Sequence, residues 1–539
     1  MAGFLKTLVD IPTDKGVHIK SAGAKREKYV YQYTSYYRNC EGKPRNKSKS
    51  IGKLDVESGK MEPNSNYYAM YNVSPLMPDT IIWEYGYMYL IQKCCRDMGL
   101  FDCLYNAFGE QANEIVATAA YMIREGNAMD GIDDWQERNF IQGLQKSLTS
   151  QSCSKLFESL TPSQLHRFFR EWVSMTLTNG SVCYDVTSVS SYSRTMSDVE
   201  YGYNRDKEKL PQFNLGMFCD ESTKLPLYYN RYNGSLTDKT NLPYVLANAK
   251  SVGIKNVKLV LDGGFVREEC FQSLHNSCSA FTIGIPASLD IAKDMIDARR
   301  NDIEKFANKL PDIEIFCVQQ SFTYYGVDGK LMLYFDPQSH SQLCRELSER
   351  IQLLAAELTA LKRYPKGKLK RYSPYFTIVK HDDDSGFDYQ VNNEIVDQTR
   401  QNKGFFLLFS TDMASKPEDS LYYYRAKDVD EKLFDQIKID MQGNRIRTHN
   451  ERTTDGKVFI TFVALAIRAY ILGKLSKYLA ANSSSLKKVT NKLANIIIVT
   501  TGTGGMCRFA KALTKTQKDI LTPFNAVEDI SLSLNICLR

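Results

Sequence analysis

The positions of apolar side chains divide the chain into stretches with different periodicities. Near the start, the aromatic run "YVYQYTSYYR" and a basic run ending at Lys53 are separated by the turn Glu41–Pro44. Two such runs around a Gly- and Pro-containing turn are typical of a β-hairpin. From about residue 81 to 175, apolar residues recur every three to four positions, which predicts helices. One of them begins at "TPSQLHRFFREWV", where Thr161 and Gln164 have the spacing of a capping box.

Short strands follow this helical region. They are rich in β-branched and aromatic residues, and in chain order they are "SVCYDVTSVS", "FNLGMFCD", "LPLYYNRYN", "VKLVLDGGF" and "SAFTIGIP". The segment "DKTNLPYVLANAKSVGI", between the third and the fourth, predicts a helix. Three strands, a helix and two more strands indicate an α/β region with a mixed sheet and flanking helices.

A polar segment, Leu289–Ser420, interrupts this pattern. It contains charged helices such as "SQLCRELSERIQLLAAELTALKRY" and the strands "SPYFTIVK" and "GFFLLFST". Because its polarity contrasts with the apolar strands before it, we expect a separate α+β insertion, joined to the core only at its two ends. The sequence thus predicts an α/β multidomain protein. Its parts are an N-terminal β-hairpin region with a linker (1–75), a helical region (76–176), a first core part (177–288), the insertion (289–420), a second core part (421–480) and a basic C-terminal tail (481–539).

The segment "YYYRAKDVDEKLFDQIKIDM", residues 422–441, crowds opposite charges together. On a helix with about 100° per residue, Glu431 lies within about 20° of Tyr424, and Lys427 and Lys438 lie within about 60° on the same side. The opposite side of this helix is apolar, with Val429, Leu433 and Ile437. We therefore expect a helix that buries its apolar side and displays Tyr, Lys, Glu and Lys together.

Acidic residues from distant parts of the chain are candidates for one site. Asp185 lies within the strand "VCYDVTS", and Asp262 ends the run "VKLVLDGG", where two glycines let the chain turn away. With Glu431 they make a set of carboxylates that would repel one another unless cations neutralise them. Such oxygen-rich sites suit Mg²⁺ or Mn²⁺. Two such ions hold the attacking and leaving oxygens of an in-line phosphoryl displacement.

Helical geometry alone leaves the third carboxylate open. Asp428 and Asp435 lie within about 60° of Glu431 on the helical wheel. A single Asp at the end of a strand is also commonly a cap or turn residue. The metal site is therefore a hypothesis at this point, with more than one candidate ligand on the helix.

Composition limits the classes of protein to consider. The 539 residues carry a net charge of +7, and 43% hydrophobic and 24% charged residues are ordinary for soluble globular proteins. The apolar run Val458–Leu472 is shorter than a bilayer span and contains Arg468, so we expect a buried core helix and no membrane association. The first residues are too polar for a signal peptide. Scattered cysteines without a Cys-x-x-Cys motif indicate reduced thiols and a cytoplasmic location.

These motifs resemble those of the DDE transposases of the IS4 superfamily, most closely its IS1634-like branch. The family signature Tyr-x2-Arg-x3-Glu-x6-Lys is present as Tyr424, Lys427, Glu431 and Lys438, with Lys in place of Arg. "YDVTS" and "LVLDGGF" are similar to the family's first and second aspartate segments, and "DGKVFITFVALAIRAYI" to the helix after its glutamate. The resemblance extends in order over roughly residues 29–472.

The resemblance implies an RNase H-like catalytic core, interrupted by the insertion between its second Asp and its Glu. It implies that Asp185, Asp262 and Glu431 are catalytic and hold two Mg²⁺ ions, for which Mn²⁺ would substitute. Tyr424, Lys427 and Lys438 would bind the phosphates of the DNA being cut. Lys427 keeps the charge of the usual Arg and loses its bidentate fork.

The function implied is that of a DNA transposase of a bacterial insertion sequence. Water activated by metal would cleave the element's ends, and the freed 3′-hydroxyls would attack target DNA. The terminal inverted repeats would be bound by the hairpin and by the helices before about residue 175, and a homodimer would pair the two ends at the nucleoid. The alternative is a catalytically silent, domesticated DNA-binding protein or repressor of the same fold, which loss of a carboxylate would favour. A glycosidase with paired carboxylates does not account for the lysines that flank Glu431.

Overall fold

The computed structural model describes residues 8–22, 27–71, 80–178, 180–361, 363–381, 386–501 and 506–536. The chain folds into two compact units. The first is formed by Met1–Leu90, Gln136–Gln142 and Ala481–Arg539, and the second by Ile91–Trp135 and Gly143–Ala480. The predicted C-terminal tail therefore belongs to the same unit as the N-terminal region.

The first unit begins with a four-stranded antiparallel sheet whose strands follow chain order. Its elements are β1 (Val17–Ala22), β2 (Glu27–Arg38), β3 (Pro44–Leu54), β4 (Met61–Pro63) and the helix α1 (Ser65–Tyr71). β2 and β3 pair as the predicted hairpin, and α1 packs on β3 and β4. Val30, Ile51 and Met61 are fully buried in a small apolar core.

A run of helices follows, as the periodicity predicts. After strand β5 (Thr80–Glu84) come α2 (Gly86–Asp97), α3 (Leu100–Phe108), α4 (Gln111–Glu125), α5 (Ile132–Arg138), α6 (Ser150–Ser159) and α7 (Pro162–Thr176). The predicted capping box of α7 is confirmed. The Gln164 N–H donates to Thr161 Oγ1 over 3.4 Å, and the Thr161 N–H donates to Gln164 Oε1 over 3.0 Å.

The centre of the second unit is an eight-stranded mixed sheet, as predicted for this region. The strands from this part of the chain are β6 (Ser181–Ser190), β7 (Gln212–Asp220), β8 (Pro226–Asn233), β9 (Lys258–Leu261), β10 (Ala280–Ile285), β11 (Phe316–Tyr324), β12 (Val327–Phe335), β13 (Phe376–Lys380), β14 (Phe387–Val391) and β15 (Phe405–Ser410). The helices between them are α8 (Asp238–Ser251), α9 (Glu268–Ser277), α10 (Asp290–Arg299), α11 (Pro337–Ala360), α12 (Leu369–Tyr372) and α13 (Asn393–Gln401).

The strand order of this sheet is β11-β12-β15-β10-β9-β6-β7-β8. β6, β7 and β8 form an antiparallel meander, while β9 is parallel to β6 and β10 is parallel to β9. The carboxyl end of β9 is therefore next to the middle of the longer strand β6. This arrangement matters because Asp185 lies in β6 and Asp262 directly follows β9.

The segment 289–420 is not joined to the core only at its ends, and that prediction is wrong. β15 pairs with β10 and β12 pairs with β15, so three strands of the segment extend the central sheet. The average polarity of the segment was misleading, because Leu331–Phe335 of β12 is a buried run within it. The hairpin β13–β14 lies outside this sheet and packs with α11 around Leu354, Leu358 and Phe376.

The remaining elements complete both units. They are α14 (Pro417–Ala426), α15 (Asp428–Asp435), α16 (Glu451–Ala481), α17 (Leu486–Ala494), β16 (Ile497–Thr501), β17 (Met506–Phe509), α18 (Lys515–Leu521) and α19 (Ala526–Ile536). The single helix predicted over residues 422–441 is instead α14 and α15, which meet at Lys427, and a π-helical turn, Gln436–Asp440. In the first unit β16 pairs with both β5 and β17, which explains why the C-terminal segment is not a separate tail.

Helix α16 is the one helix, among the described residues, that is long and apolar enough to cross a membrane. Of its most apolar window, 78% is buried inside the protein. Phe459 and Phe462 meet the rings of Phe168 and Phe169 of α7 edge to face. The helix is therefore packed as a core helix, as the sequence predicts.

Replacing Lys457 with Met is expected to stabilise the protein. Lys457 is buried on α16, where burial and then the positive charge of Arg447 lower its pKa to about 8 from 10.5. The unfolded chain therefore binds a proton more tightly than the folded protein, and stability rises with pH between these two values. Below them the ionised Lys costs the fold on the order of 3 kcal/mol, which Met removes. Thermal unfolding should give a higher Tm for the variant near neutral pH and a smaller difference at alkaline pH. Equal Tm values at every pH would contradict this account.

Candidate active site

Asp185 and Asp262 lie side by side on neighbouring strands. β6 and β9 are parallel, and the pairing of Tyr184 with Leu261 makes Asp185 and Asp262 the next two residues in register. Paired residues of adjacent strands point to the same face, and the strands are about 4.8 Å apart. Asp262 follows the carboxyl end of β9, where the chain turns through Gly263–Phe265. The sheet therefore brings the two candidate aspartates together.

The helices α14 and α15 lie over these strands. α14 packs on β9 and β10, and α15 packs on β6 and β7. Lys427, where the two helices meet, is buried, and its ammonium lies 3.4 Å from Glu431 Oε1. Of the acids that the helical wheel left open, Glu431 is therefore the one paired with Lys427. The side chain of Glu431 is 63% exposed, so its carboxylate is also accessible to a ligand.

Lys427 is the electrostatic centre of this site. Burial alone would lower the pKa of Lys427, but the charges of Asp185, Asp262 and Glu431 outweigh burial and raise it above its ordinary range. Burial raises the pKa of Asp185, while the charge of Lys427 opposes the rise and that of Asp262 adds to it. The Val186 N–H donates to Asp185 Oδ1 over 2.8 Å, which favours the ionised carboxylate. All three candidate carboxylates thus act on one buried ammonium.

Tyr424 faces Asp262. Its ring packs against the apolar cluster that contains Met332 and Tyr334. Burial, and after it the charge of Asp262, raise the pKa of Tyr424 to about 12. The geometry supports a role for Tyr424 in orienting Asp262, and its contact with DNA stays a prediction.

Gly284 of β10 leaves the space that the Tyr424 hydroxyl occupies. A Cβ at this position would lie 2.3 Å from the Tyr424 oxygen and 3.0 Å from its Cζ. Gly284→Ala should therefore displace the ring and lower the free energy of unfolding by about 1–3 kcal/mol. In a Tyr424→Phe background the loss should be smaller, because the nearest atom is gone. A double-mutant cycle measured by denaturant unfolding tests this coupling, and an equal loss in both backgrounds would rule it out.

Lys438 is not the displayed cation that the helical wheel predicts. Its side chain is only 12% exposed, and its ammonium lies 2.7 and 2.6 Å from the two oxygens of Asp206. The π-helical turn changes the angular positions of residues after Asp435 from those of a regular α-helix. Asp206 lies in the connection between β6 and β7, 232 residues away, so no local pattern predicts this ion pair.

Because Lys438 and Asp206 form an ion pair, replacing one or the other should have opposite effects on DNA binding. Lys438→Ala should weaken binding of end DNA and reduce its salt dependence by about one phosphate contact. Asp206→Asn should strengthen binding, because the carboxylate no longer competes with phosphate for the ammonium. Filter binding over a salt series measures both. If Asp206→Asn strengthens binding as much in a Lys438→Ala background, the effect is one of general charge and the proposed competition is absent.

Arg205 is a residue of this site that the sequence pattern did not indicate. Its guanidinium donates to Asp238 and, over 3.2 Å, to Ser188 Oγ. Its positive charge also opposes the rise in the pKa of Asp185. Arg205 lies in the same connection between β6 and β7, where no periodicity indicates which residues face the sheet, so only the folded structure relates it to Asp185.

The donor set of the site fits a divalent cation. Asp185 and Asp262 offer adjacent carboxylates, and Asp262 and Glu431 are exposed to solvent. Carboxylate oxygens are the ligands that Mg²⁺ and Mn²⁺ prefer. Within the described residues, no group of three or more His, Cys, Asp or Glu side chains is placed closely enough to hold a metal ion. Glu431 pairs with Lys427, and a site of three carboxylates requires Glu431 to leave that pair.

Comparisons with known proteins address the family of the chain. The family model described as "Transposase DDE domain" matches residues 179–467, which include Asp185, Asp262 and Glu431. No curated protein matches the chain. Among solved structures, the chain is similar to the cryo-EM structure of the piggyBac transposase synaptic complex with hairpin DNA, with a TM-score of 0.36 and 12% identity over 71% of this chain and 70% of that one. Because the family model matches more than half of its length, the chain belongs to the family of transposases with a DDE domain.

Proposed function

We propose that the protein is a DNA transposase that cuts the ends of a bacterial insertion sequence and joins the freed 3′-hydroxyls to target DNA. One observation carries the proposal. Asp185 and Asp262 are adjacent in register, and their charges act with that of Glu431 on the buried ammonium of Lys427, all within the segment that matches the DDE domain. Such a concentration of carboxylates is what metal-dependent phosphoryl transfer requires.

Asp185, Asp262 and Glu431 would hold the divalent ions, Mg²⁺ with Mn²⁺ as a substitute. Two such ions stabilise the attacking and the leaving oxygen of an in-line displacement at phosphorus. The chain's own residues prepare this site. Lys427 and Arg205 favour the ionised form of Asp185 against the effect of burial, and Tyr424 orients Asp262 from the side of β10.

Lys427 has a second role in this proposal. Its ammonium is paired with Glu431 and is also attracted by the charges of Asp185 and Asp262, and it would become available to a DNA phosphate when bound cations neutralise these carboxylates. A Lys binds phosphate as a point charge, without the paired hydrogen bonds that an Arg makes. The positive charge of Lys427 would thus lie close to the DNA strand that is cut. Before cations bind, the same charge compensates the negative charges of the three acids.

The finer assignments are part of the proposal. The spacing of Tyr424, Lys427, Glu431 and Lys438 supports the IS1634-like branch of the IS4 superfamily. The meander β6–β8 followed by the parallel strands β9 and β10 supports an RNase H-like core. The partners would be the terminal inverted repeats and target DNA, bound by a homodimer in the bacterial cytoplasm at the nucleoid.

A cleavage assay tests the proposal. The substrate is a duplex that carries an inverted repeat found in the DNA flanking the gene, incubated with the protein and Mg²⁺. We expect cuts with 3′-hydroxyl ends at the repeat and joined products with a target plasmid. Binding without any cut in Mg²⁺ or Mn²⁺ would contradict the proposal and would favour the catalytically silent DNA-binding protein.

A further inference from the structure

The β2–β3 hairpin extends beyond the small core that stabilises its base. At the base, Val30 and Ile51 are fully buried with Met61, and α1 packs on β3. Farther out, the pairs run from Gln32 with Lys49 to Arg38 with Pro44, and the residues of β3 from Pro44 to Lys47 are exposed. We call this part, residues 32–38 and 44–49, the outer hairpin. The side chains of the outer hairpin are not part of the small core, so folding of this core does not explain why they are basic or aromatic.

One face of the outer hairpin is basic. Arg45, Lys47 and Lys49 alternate along β3, so their side chains lie on the same face, about 6.7 Å apart along the strand. All three are exposed. Among the described residues, none of the three makes an ion pair with an acid, and the ammonium of Lys47 lies 5.8 Å from the centre of the Tyr37 ring across the strand. This face, Arg45, Lys47 and Lys49 with Tyr37, is here named the basic face.

The opposite face is aromatic. The Tyr33 ring packs at a tilt against His18 with ring centres 4.6 Å apart, and it meets Tyr36 edge to face at 5.5 Å. A β-bulge between Tyr33 and Ser35 adds Thr34 to β2 and places Tyr36 on the same face as Tyr33. β3 has no extra residue between Arg45 and Lys49, so its alternation is uninterrupted there. The two faces of the hairpin therefore have different chemistry, and the free positive charge of β3 is on one of them.

We propose that the basic face binds the phosphate backbone of duplex DNA and places the outer hairpin in a groove. This inference rests on the proposed function, and it names the surface that holds the DNA. Three cations over about 13 Å of strand match a DNA backbone that carries one phosphate per 3.4 Å of each strand. The major groove is wide enough for a two-stranded β-ribbon, and a bulge increases the right-handed twist of such a ribbon.

Charge complementarity favours duplex DNA over other occupants. A protein partner would be expected to meet an apolar patch on this face, and the residues of β3 there are Arg and Lys. Lysines also protect exposed strands from pairing with other chains. If the charges only protect the strand, their removal should make the protein self-associate and leave DNA binding unchanged. A measurement of DNA binding therefore distinguishes protection of the strand from phosphate binding.

The test uses the full-length protein and a duplex of arbitrary sequence, because phosphate contacts do not depend on sequence. The variant carries Arg45→Gln, Lys47→Gln and Lys49→Gln. We expect at least tenfold weaker binding at low salt and a slope of log Kd against log salt that is smaller by about 2.7, from three phosphate contacts. The Tm should stay the same, because the three side chains are exposed.

The matched control removes the same net charge elsewhere. Lys293, Lys305 and Lys309 are each in an ion pair with an acid, and their replacement by Gln should leave the slope unchanged. If the hairpin variant binds duplex DNA like the wild type, or loses only binding to single strands, the inference is overturned and the proposed function stands. If the wild type itself does not bind duplex DNA, the proposed function fails as well. If the slope of log Kd against log salt decreases equally in the control variant, the inference is also overturned.

Discussion

Asp262→Asn is expected to lower the rate of Mg²⁺-dependent cleavage of end DNA by about a thousandfold or more. Asn keeps the shape of the side chain and removes the charge that Asp262 contributes beside Asp185 at the edge of β9. Loss of a metal ligand raises the barrier of phosphoryl transfer by several kcal/mol, and each 1.36 kcal/mol is tenfold in rate. Binding of the same DNA should change by about twofold or less, because the contacts of Lys and Arg side chains with DNA phosphates remain.

The stability of this variant separates catalysis from folding. Asp262 is exposed, so we expect the free energy of unfolding to stay within about 0.5 kcal/mol of the wild type. Asp290→Asn is a matched control, because its side chain is 92% exposed at the start of α10 and is not a candidate metal ligand. The control should cleave like the wild type. Cleavage by Asp262→Asn at the wild-type rate would exclude Asp262 from the catalytic set.

Lys427→Met is expected to make the stability of the protein depend strongly on divalent cations. The variant keeps Asp185, Asp262 and Glu431 and removes the ammonium on which they act. In EDTA the remaining acids repel one another, and we expect a loss on the order of 1–3 kcal/mol, below the usual cost of breaking a buried pair because two of the acids are exposed. Mg²⁺ should recover most of this loss, since a ligand that binds only the folded state stabilises it by mass action.

Thermal unfolding with EDTA and with increasing Mg²⁺ measures this dependence. The Tm of the variant should rise more steeply with Mg²⁺ than that of the wild type. Lys427→Arg is the control, because it keeps the charge and restores the residue that the family signature has at this position. It should unfold like the wild type in EDTA. Equal Mg²⁺ dependence of the Met variant and the wild type would mean that Lys427 and the cation do not interact with the same carboxylates.

The sequence predicts best those features whose position depends on a single strand or helix. The sequence places Asp185 within a strand and Asp262 at the end of an apolar run. Both strands exist, and the pairing of Tyr184 with Leu261 makes these aspartates the next two residues. The capping box at Thr161 and the buried helix α16 are likewise local patterns, and both are confirmed. In each case the information lies within one turn or one strand of the residue concerned.

The predictions that failed depend on contacts between distant segments. The pairing of β15 with β10 joins the polar segment to the central sheet, and no feature of either strand specifies its neighbour. The ion pair of Lys438 with Asp206 crosses 232 residues and follows a π-helical turn that a wheel with a fixed angle does not contain. The central position of Lys427 also follows from how α14 and α15 pack on four strands, which sequence periodicity does not specify.

The most direct test of the central claim is the location of bound cations. Crystals of the protein with end DNA and Mn²⁺ would be measured at the manganese absorption edge. We expect anomalous peaks at the carboxylates of Asp185 and Asp262, with Glu431 turned from Lys427 towards the metal. The same crystals of Asp262→Asn should lose or weaken these peaks. Manganese bound only elsewhere, with Asp185 and Asp262 making no contact to it, would contradict the account.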